Sequence, residues 1–173
     1  MIALLAIIGH TDLNSQNYYG GYSESWLSRN IGARPLAMGG VYSAIVNEPN
    51  GIFYNPAGSS FMSDVPSFAT SVSSMGLNRT FASLAWAQEI IPQFGLGFGI
   101  NNLNSGSFLS RSINGAPVRD VNNNQISALL AASYRLEFIS MGASVKYLNN
   151  SLSGANISST GIAFDLGVKM ICS

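Results

Sequence analysis

The sequence predicts an all-β fold: an antiparallel transmembrane β-barrel segment of about six strands, preceded by a compact N-terminal region with a short helix. Charged residues make up only 9% of the 173 positions, against about 25% in ordinary soluble domains. No segment holds 18 consecutive apolar residues, so a transmembrane helix is not predicted. Several segments alternate apolar and small side chains, as strands with two different faces do. A weakly charged chain that spans a membrane without helices requires a closed β-barrel.

The composition also excludes several classes of function. Eight basic residues balance eight acidic ones, so the chain lacks the positive surface that nucleic-acid binding requires. Hydrophobic residues reach 47%, far above the content of disordered chains. The single histidine, His10, and the single cysteine, Cys172, cannot build a catalytic triad, a metal site or an internal disulfide. The sequence therefore predicts neither an enzyme nor a bound cofactor.

Alternation of side chains predicts six strands, at residues 67–75, 79–88, 94–101, 126–134, 139–148 and 161–170. Several of these segments have the length of about nine to eleven residues that a tilted transmembrane strand needs. The third strand alternates Gly95, Gly97 and Gly99 with large apolar residues. Because their spacing is not that of a nucleotide-binding loop, we interpret these glycines as small residues on the inner face of the sheet.

The lengths of the links between strands support a membrane barrel. Residues 89–93 and 135–138 form short links, whereas 102–125 and 149–160 are predicted as long loops rich in Asn, Ser and Gly. Outer-membrane barrels combine short periplasmic turns with longer external loops. If the first strand starts in the periplasm, both long loops lie outside the cell, although the short link at 75–78 is less typical there.

A soluble β-sandwich is the alternative, because its strands also alternate apolar and polar residues. A solvent-facing side would normally carry Lys, Glu, Thr and Arg, whereas the second face of these strands is mostly Gly, Ser and Ala. Tyr134 and Tyr147 lie at strand ends and fit the aromatic girdle of a membrane barrel, although aromatic residues also end soluble strands.

Residues 1–16 are interpreted as a truncated signal peptide. Met1–Ile8 is a continuous apolar run, and the small residue Ser15 offers a cleavage point before Gln16. The basic residues that usually begin a signal peptide are missing. A buried N-terminal strand or helical turn, or a start codon placed too late, remains the alternative.

Residues 31–61 have a different pattern, with glycine pairs and no alternation. Gly39 and Gly40 permit backbone conformations that other residues avoid. Asn55 followed by Pro56 is the typical start of a helix, with Asn as N-cap and Pro at the first helical position. We therefore predict a short helical turn over Pro56–Phe61, just before the first strand.

Residues 32–58, GARPLAMGGVYSAIVNEPNGIFYNPAG, resemble the N-terminal region of the FadL-type long-chain fatty-acid transporters and their PorV-like relatives in type IX secretion. The segments SMGASVKYL (140–148) and GIAFDLGVKM (161–170) resemble barrel strands of the same family. The resemblance implies an outer-membrane barrel of about fourteen strands in a Gram-negative bacterium. Residues 17–65 would be a hatch inside the lumen, and residues 66–173 a partial barrel. The hatch motif would comprise Arg34, Gly39, Gly40, Asn55, Pro56, Ala57 and Gly58.

The function implied is passive transport of hydrophobic compounds such as long-chain fatty acids, with lipid and the hydrophobic ligand as partners. One alternative is a PorV-like component that handles exported proteins; another is a soluble structural β-protein. Phe108, Arg111 and Arg119 lie in the long loop 102–125, which would serve either membrane role. Six strands of about fourteen would leave two open edges, so we expect the N-terminal portion of a longer protein or a broken gene. The oligomeric state stays open.

Lys146, Asp165 and Lys169 are candidate lumen charges, because they lie on the small-residue faces of neighbouring strands. A hairpin around residues 149–160 brings Lys146 roughly opposite Asp165, and such a pair avoids an uncompensated charge in the barrel wall. A salt bridge in the wall is the first interpretation, and a substrate contact is the second. Arg34 is predicted to dock the hatch to a lumen carboxylate such as Asp165.

Overall fold

The computed structural model describes residues 25–154 and 156–171. The predicted signal peptide at residues 1–16, with His10, lies outside this range, and so does Cys172. The described chain consists of an N-terminal region, residues 25–65, followed by one antiparallel β-sheet. None of the helices in these residues is long and apolar enough to cross a membrane.

The sheet contains six strands in chain order: β1 (Ser67–Ser74), β2 (Thr80–Ile91), β3 (Phe94–Arg111), β4 (Pro117–Leu136), β5 (Ile139–Ser153) and β6 (Ile157–Met170). Each strand pairs with the one before it in antiparallel register. β1 and β6 form the two edges and do not pair with each other, so the sheet is not closed. The six predicted strands and their antiparallel arrangement are confirmed.

The predicted long loop at residues 102–125 is wrong. β3 and β4 continue through most of this segment, and the turn that joins them occupies only the residues from Ser112 to Ala116. Backbone pairing does not need apolar side chains, and the asparagines here pair across the strands. The amide of Asn102 donates to the side-chain oxygen of Asn124 at 2.8 Å. The Asn-rich segment therefore forms the polar end of the long β3–β4 hairpin and not a loop.

The predicted loop at residues 149–160 is wrong for the same reason. β5 and β6 pair up to Leu152 and Ile157, which leaves a short turn between Ser153 and Ile157. The guanidinium of Arg119, on β4, donates to the carbonyl of Gly154 in this turn. The two hairpins therefore support each other beyond the ends of the apolar strand segments.

The short link predicted before β2 is confirmed, and it is a tight turn. The N–H of Arg79 donates to the carbonyl of Gly76 at 3.0 Å. Leu77 and Asn78 have φ angles of 53° and 58°, and two central residues with positive φ match the twist of a β-hairpin. Leucine rarely adopts this conformation, so the turn geometry here is set by the pairing of β1 with β2.

The N-terminal region contains three 3₁₀ turns, at Ser25–Ser28, Pro49–Phe53 and Pro56–Phe61, and one short α-helix, α1 (Ala33–Ala37). The predicted helical turn at Pro56–Phe61 is confirmed, as a 3₁₀ turn. The side chain of Asn55 caps it by accepting the N–H of Ala57 at 3.0 Å. The region covers one face of the sheet, which we call the inner face; the opposite side is the outer face.

Candidate functional site

Three glycines let the N-terminal region lie directly on the inner face. A Cβ atom at Gly142 would come within 2.5 Å of the backbone nitrogen of Ala57. At Gly95 it would overlap the backbone of Ser59, and at Gly167 it would overlap the side chain of Asn55. Real Cβ atoms never come this close, so any larger residue would push the two layers apart. The small residues predicted for the inner face are therefore the contact surface for Asn55–Ser59.

Paired serines hold the same segment to the sheet. The hydroxyl groups of Ser59 and Ser133 are 2.7 Å apart, and so are those of Ser60 and Ser140. Ser140 also donates to the carbonyl of Ala57 at 2.9 Å. All of these side chains are buried, and hydrogen bonds in such surroundings are costly to break because water does not replace them.

Asn55 connects three parts of the chain. Its amide donates to the carbonyl of Ser43 at 2.9 Å and to that of Val168, on β6, at 3.0 Å. The N–H of Ile171 donates to the carbonyl of Phe138 at 2.9 Å. In an antiparallel ladder every second residue forms such a hydrogen-bonded pair with the neighbouring strand, here β5. Val168 falls between such pairs, so its carbonyl points to the open edge of the sheet. Asn55 thus satisfies one edge carbonyl of β6.

An apolar cluster fills the space above these polar contacts. Ile52 and Met62 pack on the small residues Ala85 and Ala87 of β2 and on Leu129 and Ala131 of β4. Ile52 is 1% exposed and Leu129 is fully buried. Hence Pro49–Phe61 contributes both the polar and the apolar core between the two layers.

A second cluster lies nearer the β3–β4 hairpin. Trp26 and Ile31 pack against Phe81 and Leu103, and all four are at most 6% exposed. Beside them is an open pocket of about 670 Å³, whose walls come from both layers. Its lining includes Trp26, Leu36, Met75, Phe81 and Leu103, together with the polar residues Arg29 and Gln125. Six of its eleven lining residues are polar or charged, so the walls of the pocket are mixed in character.

The prediction that Arg34 docks to Asp165 is wrong. The Arg34 guanidinium instead lies 2.9 Å from Glu48 and 3.0 Å from the side-chain oxygen of Asn47, both within the N-terminal region. The hydrogen bond with Glu48 raises the pKa of Arg34 above its usual value. Glu48 is much closer than Asp165 to Arg34 in the sequence. The turn at residues 38–41 folds the segment back on itself and brings the two side chains together.

That turn contains two of the predicted motif residues. Gly39 and Gly40 have φ angles of 65° and 86°, in the region that favours glycine. Gly40 also lies against the side chain of Asn30, which a Cβ atom would meet at 2.6 Å. Pro56, Ala57 and Gly58 are buried at the sheet, so the structure brings only one half of the motif to the inner face.

The predicted pair of Lys146 with Asp165 is confirmed as an ion pair of 2.8 Å. In the register of β5 and β6, Ser144 lies opposite Asp165 and Lys146 opposite Ala163, so the two charges meet diagonally. The Ser144 hydroxyl donates to the same carboxylate at 2.7 Å. The third candidate charge, Lys169, is separate: its ammonium donates to the carbonyl of Ile45 at 2.8 Å.

Sequence reasoning missed a cluster at the end of the sheet with short turns. Phe61 lies between two cations, with Arg135 5.1 Å and Lys169 4.7 Å from the centre of its ring. Arg135 also forms an ion pair of 3.0 Å with Glu89. The sequence signal was weak, since Phe61 ends a helical turn, and Arg135 and Glu89 lie at strand ends that were assigned to links.

No family model, characterised protein or solved structure matches this chain.

Proposed function

We propose that this chain is an outer-membrane β-barrel protein of the FadL/PorV type that passively transports hydrophobic compounds, and that its six strands form part of the barrel wall. Residues 25–65 would be the hatch, which lies on the inner face and controls the path of the ligand. The energy for capture would come from burying the apolar chain of the ligand, at about 0.8 kcal/mol per CH₂.

The observation that carries this proposal is the pattern of the outer face. One row of cross-strand neighbours is apolar on every strand: Phe68, Trp86, Phe98, Leu130, Val145 and Phe164. A parallel row six residues away on every strand is polar and uncharged: Ser74, Thr80, Asn104, Asn124, Ser151 and Ser158. Phe164 is 77% exposed and Leu166, near it on β6, 88% exposed. None of the outward-facing residues between the two rows is charged.

Such a face suits lipid better than water. Monomeric soluble proteins rarely expose a continuous apolar patch of this extent, and a border between apolar and polar rows is expected where a bilayer ends. Tyr147 precedes the polar residue Asn149 on the outer face, at this border, and Tyr134 lies toward the short turns. The positions of these two tyrosines fit girdles at the two interfaces.

A matched pair of substitutions tests the membrane assignment. Leu166→Arg places a charge in the apolar band, where it should cost about 2–4 kcal/mol of insertion free energy, whereas Ser158→Arg in the polar row should cost about 0–1 kcal/mol. The measurement is the fraction of refolded protein that floats with lipid vesicles. If Leu166→Arg inserts as well as Ser158→Arg, or stays soluble without detergent, the soluble β-protein is the better assignment.

The secretion alternative is favoured by one observation, the apolar tip of the β3–β4 hairpin. Phe108, Ile113 and Val118 are exposed there by 50%, 102% and 54%. Replacing residues 105–122 with a short turn should leave oleate uptake by expressing cells unchanged if the protein is a transporter. If cells that express the unaltered chain take up no more oleate than control cells, and the shortened hairpin removes an exported protein from the cell surface, the chain is assigned to secretion.

A further inference from the structure

We propose that Asn114, in the turn of the β3–β4 hairpin, is a site of spontaneous deamidation that adds a negative charge to the tip of the hairpin as the protein ages. An asparagine reacts most readily before a glycine, because no side chain hinders the approach of the glycine's backbone nitrogen. The sequence contains two such pairs, Asn50–Gly51 and Asn114–Gly115. Their surroundings in the fold differ, and this difference selects Asn114. The inference goes beyond the proposed transport and does not depend on it.

The reaction requires no enzyme and no co-reactant except water. The backbone nitrogen of Gly115 forms a bond to the side-chain carbon Cγ of Asn114, and the bond from Cγ to Nδ2 breaks. Nδ2 leaves as ammonia with the proton that the Gly115 nitrogen gives up, and the ring that remains is a succinimide. Water then opens the ring at one of its two carbonyls and yields aspartate or isoaspartate. Either product carries one new carboxylate.

The turn of the hairpin leaves the reacting atoms of Asn114 and Gly115 accessible. Residues 111–120 are all exposed, and a Cβ atom at Gly115 would meet no residue beyond its chain neighbours within 4 Å. The N–H of Gly115 donates to the carbonyl of Ser112 at 2.8 Å, and this bond must open before the nitrogen can attack. Exposed turns with few buried contacts open often, so we expect the reaction to proceed in the folded chain.

Asn50 is protected although it also precedes a glycine. Its side chain is only 5% exposed. Gly51 lies in the 3₁₀ turn Pro49–Phe53 and packs against Val46, whose Cβ atom a Cβ atom of Gly51 would meet at 2.9 Å. The N–H of Gly51 donates to the carbonyl of Glu48 at 2.8 Å, the same length as the bond of Gly115. Burial therefore distinguishes the two sites, because Asn50 can react only when the core under the N-terminal region opens.

The new carboxylate changes the charge of the hairpin tip. Residues 107–120 contain Arg111, Arg119 and Asp120, which leave one net positive charge. Deamidation of Asn114 brings this charge to zero. The change occurs next to the carbonyl of Gly115, which accepts the Arg111 guanidinium at 3.0 Å. An acidic form of the whole chain, with a lower isoelectric point, therefore accumulates with time.

Peptide mapping of the full chain in detergent micelles tests the proposal. The protein is kept at neutral pH for weeks and digested with trypsin, and mass spectrometry follows Asn114 in the peptide Ser112–Arg119. Conversion of amide to acid should be at least about tenfold faster at Asn114 than at Asn50, because the buried site must open first. In guanidinium chloride the two sites should react at similar rates. Equal rates in the folded chain would overturn the proposal.

Two variants identify the residue that produces the acidic form. Asn114→Gln should remove most of this form on isoelectric focusing, because glutamine must close a larger ring and reacts far more slowly. Asn156→Gln is the matched control: Asn156 is also exposed in a turn but precedes an isoleucine, so this variant should accumulate the acidic form as the unaltered chain does. An acidic form that persists undiminished in Asn114→Gln, or disappears in Asn156→Gln, would refute the assignment to Asn114.

Discussion

The two faces of one sheet are built by opposite rules. On β6, Gly167 and Lys169 face the N-terminal region, while Phe164 and Leu166, earlier on the same strand, face outward. The inner face is small because another backbone lies directly on it, and the outer face is large because no other part of the described chain covers it. Side-chain size along these strands therefore indicates whether another backbone covers a face. Polarity alone does not show this.

The comparison predicts that a glycine of the inner face tolerates substitution far less where Pro49–Phe61 covers it than where no other segment lies against it. Gly142→Ala should lower the free energy of unfolding by about 2–4 kcal/mol, because its methyl group would overlap the backbone of Ala57. The matched control is Gly161→Ala on β6, where a Cβ atom would meet only Leu148 at 3.9 Å and should change the stability by less than about 0.5 kcal/mol. Urea midpoints in micelles measure both, and equal losses would contradict the close contact.

Asn55 should be the most sensitive polar residue of the inner contact. Asn55→Asp keeps the oxygen that caps Pro56–Phe61 but removes the donors to Ser43 and Val168. Leaving two carbonyls without partners and burying a charge should cost about 2–3 kcal/mol of unfolding free energy. Asn114→Asp, in the exposed turn of the β3–β4 hairpin, is the control and should be nearly neutral. Equal urea midpoints for the two variants would exclude the edge contact.

The Lys146–Asp165 pair should contribute less. Asp165→Asn leaves the Lys146 ammonium without its counter-charge on a partly buried face, at a cost of about 1–2 kcal/mol. The double variant Lys146→Met/Asp165→Asn should recover part of this loss, because no lone charge remains. A double-mutant cycle of urea midpoints measures the coupling, and additive effects would show that the pair does not stabilise the wall.

The smallest effect is expected at Arg34. Its ion pair with Glu48 is exposed, with 47% and 38% of the side chains accessible, so Arg34→Gln should shift the urea midpoint only slightly, and less at high salt. Maleimide should modify a Leu103→Cys reporter at nearly the same rate in the Arg34→Gln variant as in the chain that keeps Arg34. A large change in accessibility would mean that Arg34 also restrains the N-terminal region against the sheet.

Strand positions were predictable wherever alternation is strong, but strand lengths were not. Ile162 to Met170 show their two faces in sequence, whereas the polar ends of β3 and β4 lack an apolar side and were assigned to a loop. Their pairing depends on contacts such as Asn102 with Asn124, which are invisible before the register is known. Strand propensity is weak for Asn and Ser, so local composition favoured the wrong assignment.

Local geometry in the N-terminal region was also predictable, but its partners were not. The Asn55–Pro56 start of a helical turn is a short-range signal, and it is confirmed. The Arg34 contact was wrong because Glu48 competes from a position only 14 residues away. Long-range contacts such as Phe61 with Arg135 and Lys169 depend on how the whole sheet curves around the region, which no local pattern encodes.

The contacts of Asn55 join segments that are far apart in the sequence. Every strand pairs with its neighbour in the chain, so the sheet grows by successive hairpins. The segment around Asn55 is made before all of the strands, yet its bond to Val168 spans 113 residues, and that of Lys169 to Ile45 spans 124. Because distant contacts form slowly, the earliest residues to be synthesised are expected to dock last. Until then the glycine- and serine-rich inner face of the sheet stays uncovered.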